Sequence, residues 1–443
     1  SPLATVSPAS GVAQNFTNPV NYTVTAADGS TAVYVVTVTV GAIPGGEPEE
    51  LTSPITVNTT LRDKGLPIDY YFTGYELSVE NNAVLTIEDS VTIQFRQSDG
   101  HLYITDGATL KALGTDGKRI QFVGASTNKG SWRGIQIKTE TENELRYVDI
   151  LNAGEDGAWG DEASAALYVE EGNVSVTNCL IDRSKTNGVT VRGNWGKGVL
   201  TAFGNNTVSN CDKAPIYTSD YACSWNVRNI DNTNIFTGNA NTYIHIRYSM
   251  NAPVYSDMTL QHLNGYPWYF EDGLEISDDK TVTIEAGAVI IVGAEERIYV
   301  PTSSHLVAVG TAQSPITIKG KNATPGYWQG ILVYSQTPGT KLDYCNISDA
   351  GNGAFGTTEN NGLVYYAANS YLELYNCNLS NSLHSGVVCA YSSSSFNVHY
   401  NAYFKQSNNT LSAITGAIFR IAEPTEASYS ELPTTGSSWW QYY

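Results

Sequence analysis

Two acidic, glycine-rich stretches carry the residue types best suited to holding a ligand. "NAGEDGAWGDEAS" (152–164) sets Glu155, Asp156, Asp161 and Glu162 around Trp159. Its counterpart "DAGNGAFGTTENNG" (349–362) keeps the glycines, places Phe355 where the first has Trp159, and lacks most of the acids. An aromatic ring on a loop can stack on the apolar C–H face of a sugar. Carboxylates suit calcium, yet neither stretch has the alternating acid spacing of a calcium loop. The expectation is a glycan contact through Trp159, Phe355, Asp156 and Asp161, with no cofactor and calcium as the one ion the acids would suit. A third group is "YIHIRYS" (243–249). Strand alternation places Tyr243, His245, Arg247 and Ser249 on one face, a polar and aromatic surface that can contact the same class of ligand.

Catalytic patterns are harder to find. A glycosidase needs two carboxylates about 5–9.5 Å apart. On stacked strands, that means acids in one column of neighbouring coils. Asp149 and Asp182 each lack a second acid in their columns, and Asp278-Asp279 sits in a turn with no basic partner motif. His101, His245, His262, His305, His384 and His399 show no HxH or HExxH spacing. Cys179, Cys211, Cys223, Cys345, Cys377 and Cys389 form no CxxC pair, which argues against zinc. Cys345 and Cys389 align with Val148 and Val191 of an internal copy, so these thiols read as buried apolar fillers.

The whole chain narrows the class of partner. Its 443 residues carry a formal charge of −19, which opposes nucleic acid and anionic membrane as partners. No apolar run reaches the ~18 residues of a membrane span. With 40 Gly and 29 Tyr against 2 Met, the composition leans towards strands and turns. The opening "SPLATVSP" contains no signal peptide, so a processed product of an exported protein is expected.

The elements that must position these residues come in two copies. "GSWRGIQIKT" (130–139) returns as "GYWQGILVYS" (326–335), an offset of 196. "LTIEDSVTIQF" (85–95) returns as "VTIEAGAVIIV" (282–292), and "LRYVDILNAG" (145–154) as "LDYCNISDAG" (342–351). Alternating short strands broken by Gly, Asn or Asp, with no helical period, predict an all-β solenoid: a parallel β-helix whose coils stack to bury their inner faces. Ile150, Ile181, Val208 and Ile235 are expected to share one inner column. Tyr147, Asn178, Asn205 and Asn232, three residues earlier, are expected at one corner, where Asn tolerates the left-handed conformation and stacks its amide. The second copy aligns Ile347, Leu379 and Phe404, preceded by Tyr344, Asn376 and Asn401. The glycines of the Trp phrase are expected to relieve strain at a turn, with Trp132 and Trp328 capping a coil edge.

The run "LTIEDSVTI…GATLKALGT…RIQFVG…GSWRGIQI…LRYVDILNAG" resembles the right-handed parallel β-helix (pectin-lyase-like) proteins of bacterial surfaces. The resemblance supplies the handedness. Residues 1–42 read as strands with a hairpin turn at Asp28-Gly29, and resemble the end of the small Ig-like repeats of Bacteroidetes surface proteins. The expected organisation is a partial Ig-like or cap segment (1–42), a linker (43–50), β-helix modules at 51–250 and 251–425, and a capping tail (426–443). The expected protein is an exported monomer of the bacterial outer-membrane surface or extracellular space, with a lipid anchor as one way of holding it there, that binds a polysaccharide or cell-surface glycan or acts as an adhesin-like rod. The alternative is a polysaccharide lyase or glycoside hydrolase working in a groove along the solenoid.

Overall fold

The structure, a computed structural model, describes every residue except 1–3, 10–11, 13, 16–18, 37–45, 156–163, 193–197, 220–223, 248–253, 255, 353–360, 368, 390–403, 417–418, 423–428 and 432–443. The chain divides into two units, Ser1–Glu47 with Lys64–Leu66, and Pro48–Asp63 with Pro67–Tyr443. The first contains a three-stranded antiparallel sheet of Thr5–Ser7, Val20–Thr25 and Thr31–Val36. The hairpin turns at Asp28-Gly29 as expected. Gly29 has a φ of 84°, and the Ser30 N–H donates to Asp28 Oδ1 at 3.0 Å.

The second unit is a parallel β-helix with three strands per coil. In its first module, face I stacks Tyr70–Phe72, Thr92–Phe95, Ile120–Gly124, Val148–Leu151, Leu180–Asp182, Thr207–Ser209 and Ile235–Thr237. Face II stacks Glu76–Val79, His101–Ile104, the first halves of Gly134–Arg146 and Ala165–Thr177, then Asn187–Arg192, Ile216–Ser219 and Ile244–Ile246. Face III includes Val84–Ile87, Thr109–Leu113, the second halves of the two long strands, and Gly198–Gly204. Inward side chains from all three faces form one continuous core.

The inner column is confirmed for three of its four members. Ile150 pairs with Ile181 and Ile181 with Val208. The fourth is Phe236, which pairs with Val208, whereas Ile235 points outward and is 58% exposed. The second copy is corrected in the same way: Leu379 pairs with Leu411, and Phe404 belongs to another face, against Leu372.

The corner series is also shifted. Tyr147, Asn178 and Asn205 all have positive φ, at 50°, 57° and 55°, so they make the turn. The amide ladder uses the next residue instead of the expected Asn232. The Cys179 N–H donates to Asn206 Oδ1 (2.8 Å), and the Asn206 N–H donates to Asn234 Oδ1 (3.0 Å). Each amide nitrogen reaches back to a carbonyl of the preceding coil, Val176 for Asn206 and Phe203 for Asn234. The second module repeats this with the Cys377 N–H on Asn409 Oδ1 at 2.9 Å, and its third turn residue is Asn408 (φ 57°); Asn401 lies outside the described residues. Cys179 continues the ladder through sulfur, accepting the Val148 N–H at 3.4 Å. The cysteine is therefore an acceptor as well as the buried filler expected. Among the described residues five cysteines are free and buried. Burial pushes the Cys179 and Cys211 thiols up to about 12. Cys223 and the tail 432–443 lie outside the described residues.

The repeated Trp phrase is core, a correction to the edge-capping role. Trp132 and Trp328 are fully buried. Trp132 stacks on Phe95 at 4.6 Å, and its indole N–H donates to the Leu151 carbonyl at 2.9 Å; Trp328 donates to Ser348 at 2.7 Å. The glycines behave as expected. Gly134 and Gly330 share a φ of 126°, and a Cβ would meet the Ala166 or Gly362 carbonyl oxygen at 2.3 or 2.5 Å.

The two modules do not stack face on face. Trp268–Phe270 is the counterpart of Tyr70–Phe72 on face I, yet it pairs with Ile244–Ile246 of face II. Val289–Val292, Ile316–Gly320, Cys345–Ser348, Asn378–Ser382 and Thr410–Ile414 continue that same sheet. The second module therefore stands one face round the coil from the first.

The ladder register can be checked by unfolding. Asn206→Ala strands the buried Cys179 N–H and should cost about 1–3 kcal/mol, whereas Asn232→Ala should stay within about 0.5 kcal/mol of wild type. Denaturant midpoints measure both, and a larger loss for Asn232→Ala would refute the register. Separately, a thiol reagent at pH 8 should leave Cys179 and Cys211 unlabelled until the protein is unfolded. Rapid labelling of either in the native state would contradict their burial.

Candidate functional site

Asp156, Trp159, Asp161 and Phe355 lie outside the described residues, but the edges that carry their loops do not. The first loop leaves face I after Val148–Leu151 and returns on face II at Ala165–Thr177. The second leaves Cys345–Ser348, which continues face II, and returns at Gly362–Tyr366 in the sheet that follows it round the coil. The module offset thus roots the two loops on different edges of the coil. At the root of the first loop, Glu155 Oε2 lies 3.4 Å from Arg133 Nε.

Tyr243, His245 and Arg247 do come together. In Ile244–Ile246 the two isoleucines are fully buried, so His245 faces outward. The register places it between Tyr217 and Tyr269. Its ring lies 5.0 Å from Tyr217 and 5.1 Å from Tyr269, and Tyr243 lies 5.6 Å from His245 and 4.8 Å from Tyr269. His245 Nε2 is 2.8 Å from Glu271 Oε2, and Arg247 Nε is 3.7 Å from the same oxygen. Lys321 Nζ sits 4.3 Å over the Tyr269 ring and donates to the Tyr243 hydroxyl at 3.2 Å. Tyr217 and Tyr269 form a packed floor, 3% and 4% exposed, and Tyr243 is a half-buried rim. The solvated face that alternation implies is in fact a close-packed aromatic one.

The surroundings shift two of these groups. The hydrogen bond from His245 is the main influence keeping the Glu271 carboxyl below its usual range, with help from Arg247. Burial raises the Tyr269 phenol, so this ring keeps its proton at any working pH. A general base needs a pKa near the operating pH, and Tyr269 is moved the other way. Asp149, the isolated acid of the first module, pairs with Arg119 at 2.6 Å. Among the described residues no cluster of His, Cys, Asp or Glu can hold a metal ion.

The cluster is part of a longer column that sequence reasoning missed. On the outer side of face II the register runs Tyr103, Gln136, Tyr168, Thr190, Tyr217, His245, Tyr269. Charged neighbours are paired beside it: Lys138 and Gln136 both contact Glu170, at 3.0 and 2.8 Å. A signal was available in "HLYI", "ALYV", "PIYT" and "PWYF", each with Tyr after an inward apolar residue. At the far end of the column, His101 is buried beside Tyr75 (5.3 Å) and Glu76 (3.5 Å). Burial, followed by Arg133, pushes its pKa down to about 4.

Residues 1–38 match the family model described as SGBP, N-terminal. The match supports a surface protein of the Bacteroidetes type with a glycan-binding character, and it covers only that segment. No curated protein and no solved structure matches the chain. Among the described residues no helix is long and apolar enough to cross a membrane.

His101 gives this face a pH signature. Its folded pKa of about 4 lies below the ordinary 6.5, so the unfolded chain binds the extra proton between those values. Stability should be full above pH 6.5 and fall by about 3 kcal/mol as pH drops to 4. His101→Gln should remove that share of the slope. Urea midpoints at pH 4 and 7 test it, and an unchanged slope in the variant would refute the assignment.

Proposed function

We propose that this is an exported surface protein of the Bacteroidetes type whose β-helix binds an extended polysaccharide. The resemblance of the coils to pectin-lyase-like proteins supports a carbohydrate ligand, and the N-terminal match supports the surface setting. One observation carries the site: Tyr243, His245, Arg247, Tyr269 and Glu271 converge on the outer side of a continuous parallel sheet. The half-buried Tyr243 ring is placed to meet sugar C–H surface, and the Glu271 carboxylate, the Arg247 guanidinium and the Tyr243 hydroxyl to meet sugar hydroxyls. Strands repeat at ~4.8 Å along the stack, a spacing similar to the length of a pyranose residue. A chain lying along the stack would meet one coil per sugar at the partly exposed rim of Tyr243, His245, Arg247 and Glu271, whereas Tyr168 and Thr190 of the same column are buried. Trp159, Phe355, Asp156 and Asp161 remain the loop contacts proposed to flank this surface. A net charge of −19 favours a neutral polymer over a polyanion.

Affinity electrophoresis through gels containing mixed-linkage β-glucan, arabinoxylan, galactomannan or soluble starch tests the reading. At least one polymer should retard the protein, without release of reducing ends or unsaturated products. Tyr243→Ala should weaken binding at this column by about fivefold or more, the equivalent of ~1 kcal/mol. No retardation by any polymer would sink the proposal, and product release would replace it with the lyase or hydrolase reading.

A further inference from the structure

A second aromatic surface lies on the sheet that follows face II round the coil in the second module. This sheet stacks Leu274–Glu275, Arg297–Val300, Gly330–Val333, Gly362–Tyr366 and Ser385–Cys389. Its outward column runs Glu275, Tyr299, Leu332, Tyr365, Val388. These side chains do not join the central core; Leu332, Tyr365, Ala367 and Val388 form a separate apolar cluster with Tyr299 and Tyr334 packed against it. Tyr334 bridges the column, 5.4 Å from Tyr299 and 6.0 Å from Tyr365. Tyr299 and Tyr334 are half-buried, so their rings are reachable, whereas Leu332, Tyr365 and Val388 beneath them are buried.

The two surfaces correspond strand for strand. Tyr299 stands where the first module has Tyr103, Leu332 where it has Gln136, and Tyr365 where it has Tyr168. Because the second module is set one face round, the copies do not form one continuous track. They look out from different sides of the solenoid. A stiff polymer lying along the Tyr217–His245–Tyr269 column runs on over Ile291 and Lys319 of the same sheet and misses Tyr299.

We infer that Tyr299 and Tyr334, seated on the buried Leu332, Tyr365 and Val388, form a second polysaccharide site, and that one protein molecule bridges two separate polymer chains instead of gripping one chain twice. The occupant is again a neutral glycan: the two partly exposed tyrosines, held on a packed apolar floor, offer ring faces and hydroxyls, which suit sugar C–H faces and hydroxyls rather than carboxylates. The inference rests on the polysaccharide-binding reading above and adds to it a second site and its consequence.

Bridging can be read directly. Protein is bound to beads carrying mixed-linkage β-glucan, arabinoxylan, galactomannan or soluble starch, washed, and offered the same polymer in soluble fluorescent form. Wild type should recruit label to the beads. Tyr299→Ala/Tyr334→Ala should still bind the beads through face II but recruit at least fivefold less label. Tyr299→Phe/Tyr334→Phe keeps the rings and should bridge like wild type, which separates loss of the stacking surface from loss of fold. The inference is overturned if wild type binds beads without recruiting label, if the alanine pair bridges undiminished, or if the phenylalanine pair also fails. In each of these cases bead binding itself still stands. If wild type binds no bead, the polysaccharide-binding reading fails and this inference falls with it.

Discussion

Each turn of a β-helix drives a backbone N–H into a corner where no water can reach it. Leaving it unpaired costs about 1–3 kcal/mol, and the cost recurs at every coil. Here the solution is a side chain borrowed from the next coil: Asn206 serves Cys179, Asn234 serves Asn206, and Asn409 serves Cys377. The left-handed residues beside them, Asn178, Asn205 and Asn408, aim the chain into the corner. With the corner fixed in this way, the connections elsewhere in a coil are free to vary. Ile150, Ile181, Val208 and Phe236 stay in one column although their sequence spacing is uneven. The extra residues leave at the edges, and that is where the long loops sit.

The same constraint explains how two homologous modules can be stacked out of phase. The inward residues of all three faces are apolar and belong to one core. At the junction Ile244 meets Trp268 and Ile246 meets Phe270, all inward and buried. Nothing in this pairing requires face I to follow face I. A duplicated module can therefore rotate by one face without disturbing the core, while everything on its outer surface is redirected.

Alternation and repeated strand phrases made the parallel solenoid, the strand pairing Ile150–Ile181–Val208 and the N-terminal hairpin legible. The errors have a local cause. Asn205-Asn206 and Asn408-Asn409 are consecutive, with one making the turn and the other the ladder, and no sequence pattern separates the two tasks. Ile235-Phe236 offers two adjacent apolar residues for one inward position, and the larger ring takes it. Trp132 sits between two glycines, as a turn residue would, yet it swings inward onto Phe95. For the site, Tyr243, His245 and Arg247 were legible because they alternate within one strand. Their partners Tyr217, Tyr269 and Glu271 arrive from neighbouring coils, and only the register joins them.

The two copies have diverged on one side of each strand far more than on the other. Inward, Ile135 answers to Ile331, Leu167 to Val364 and Val189 to Val387, all apolar. Outward, Gln136 becomes Leu332, Lys138 becomes Tyr334 and Thr190 becomes Val388. Each outward change replaces a polar group with an apolar one, while Tyr103 and Tyr168 keep their counterparts Tyr299 and Tyr365. Leu332 and Val388 stand outside the central core but are buried in a cluster of their own, with Tyr334 packed against it, and that burial accounts for their apolar character. The pattern is that of one tyrosine frame fitted with two linings. The first is polar and charge-paired, and the second is apolar and packed beneath Tyr299 and Tyr334. Both are held by strands, so little conformational entropy would be lost by the protein on the polymer binding proposed for them.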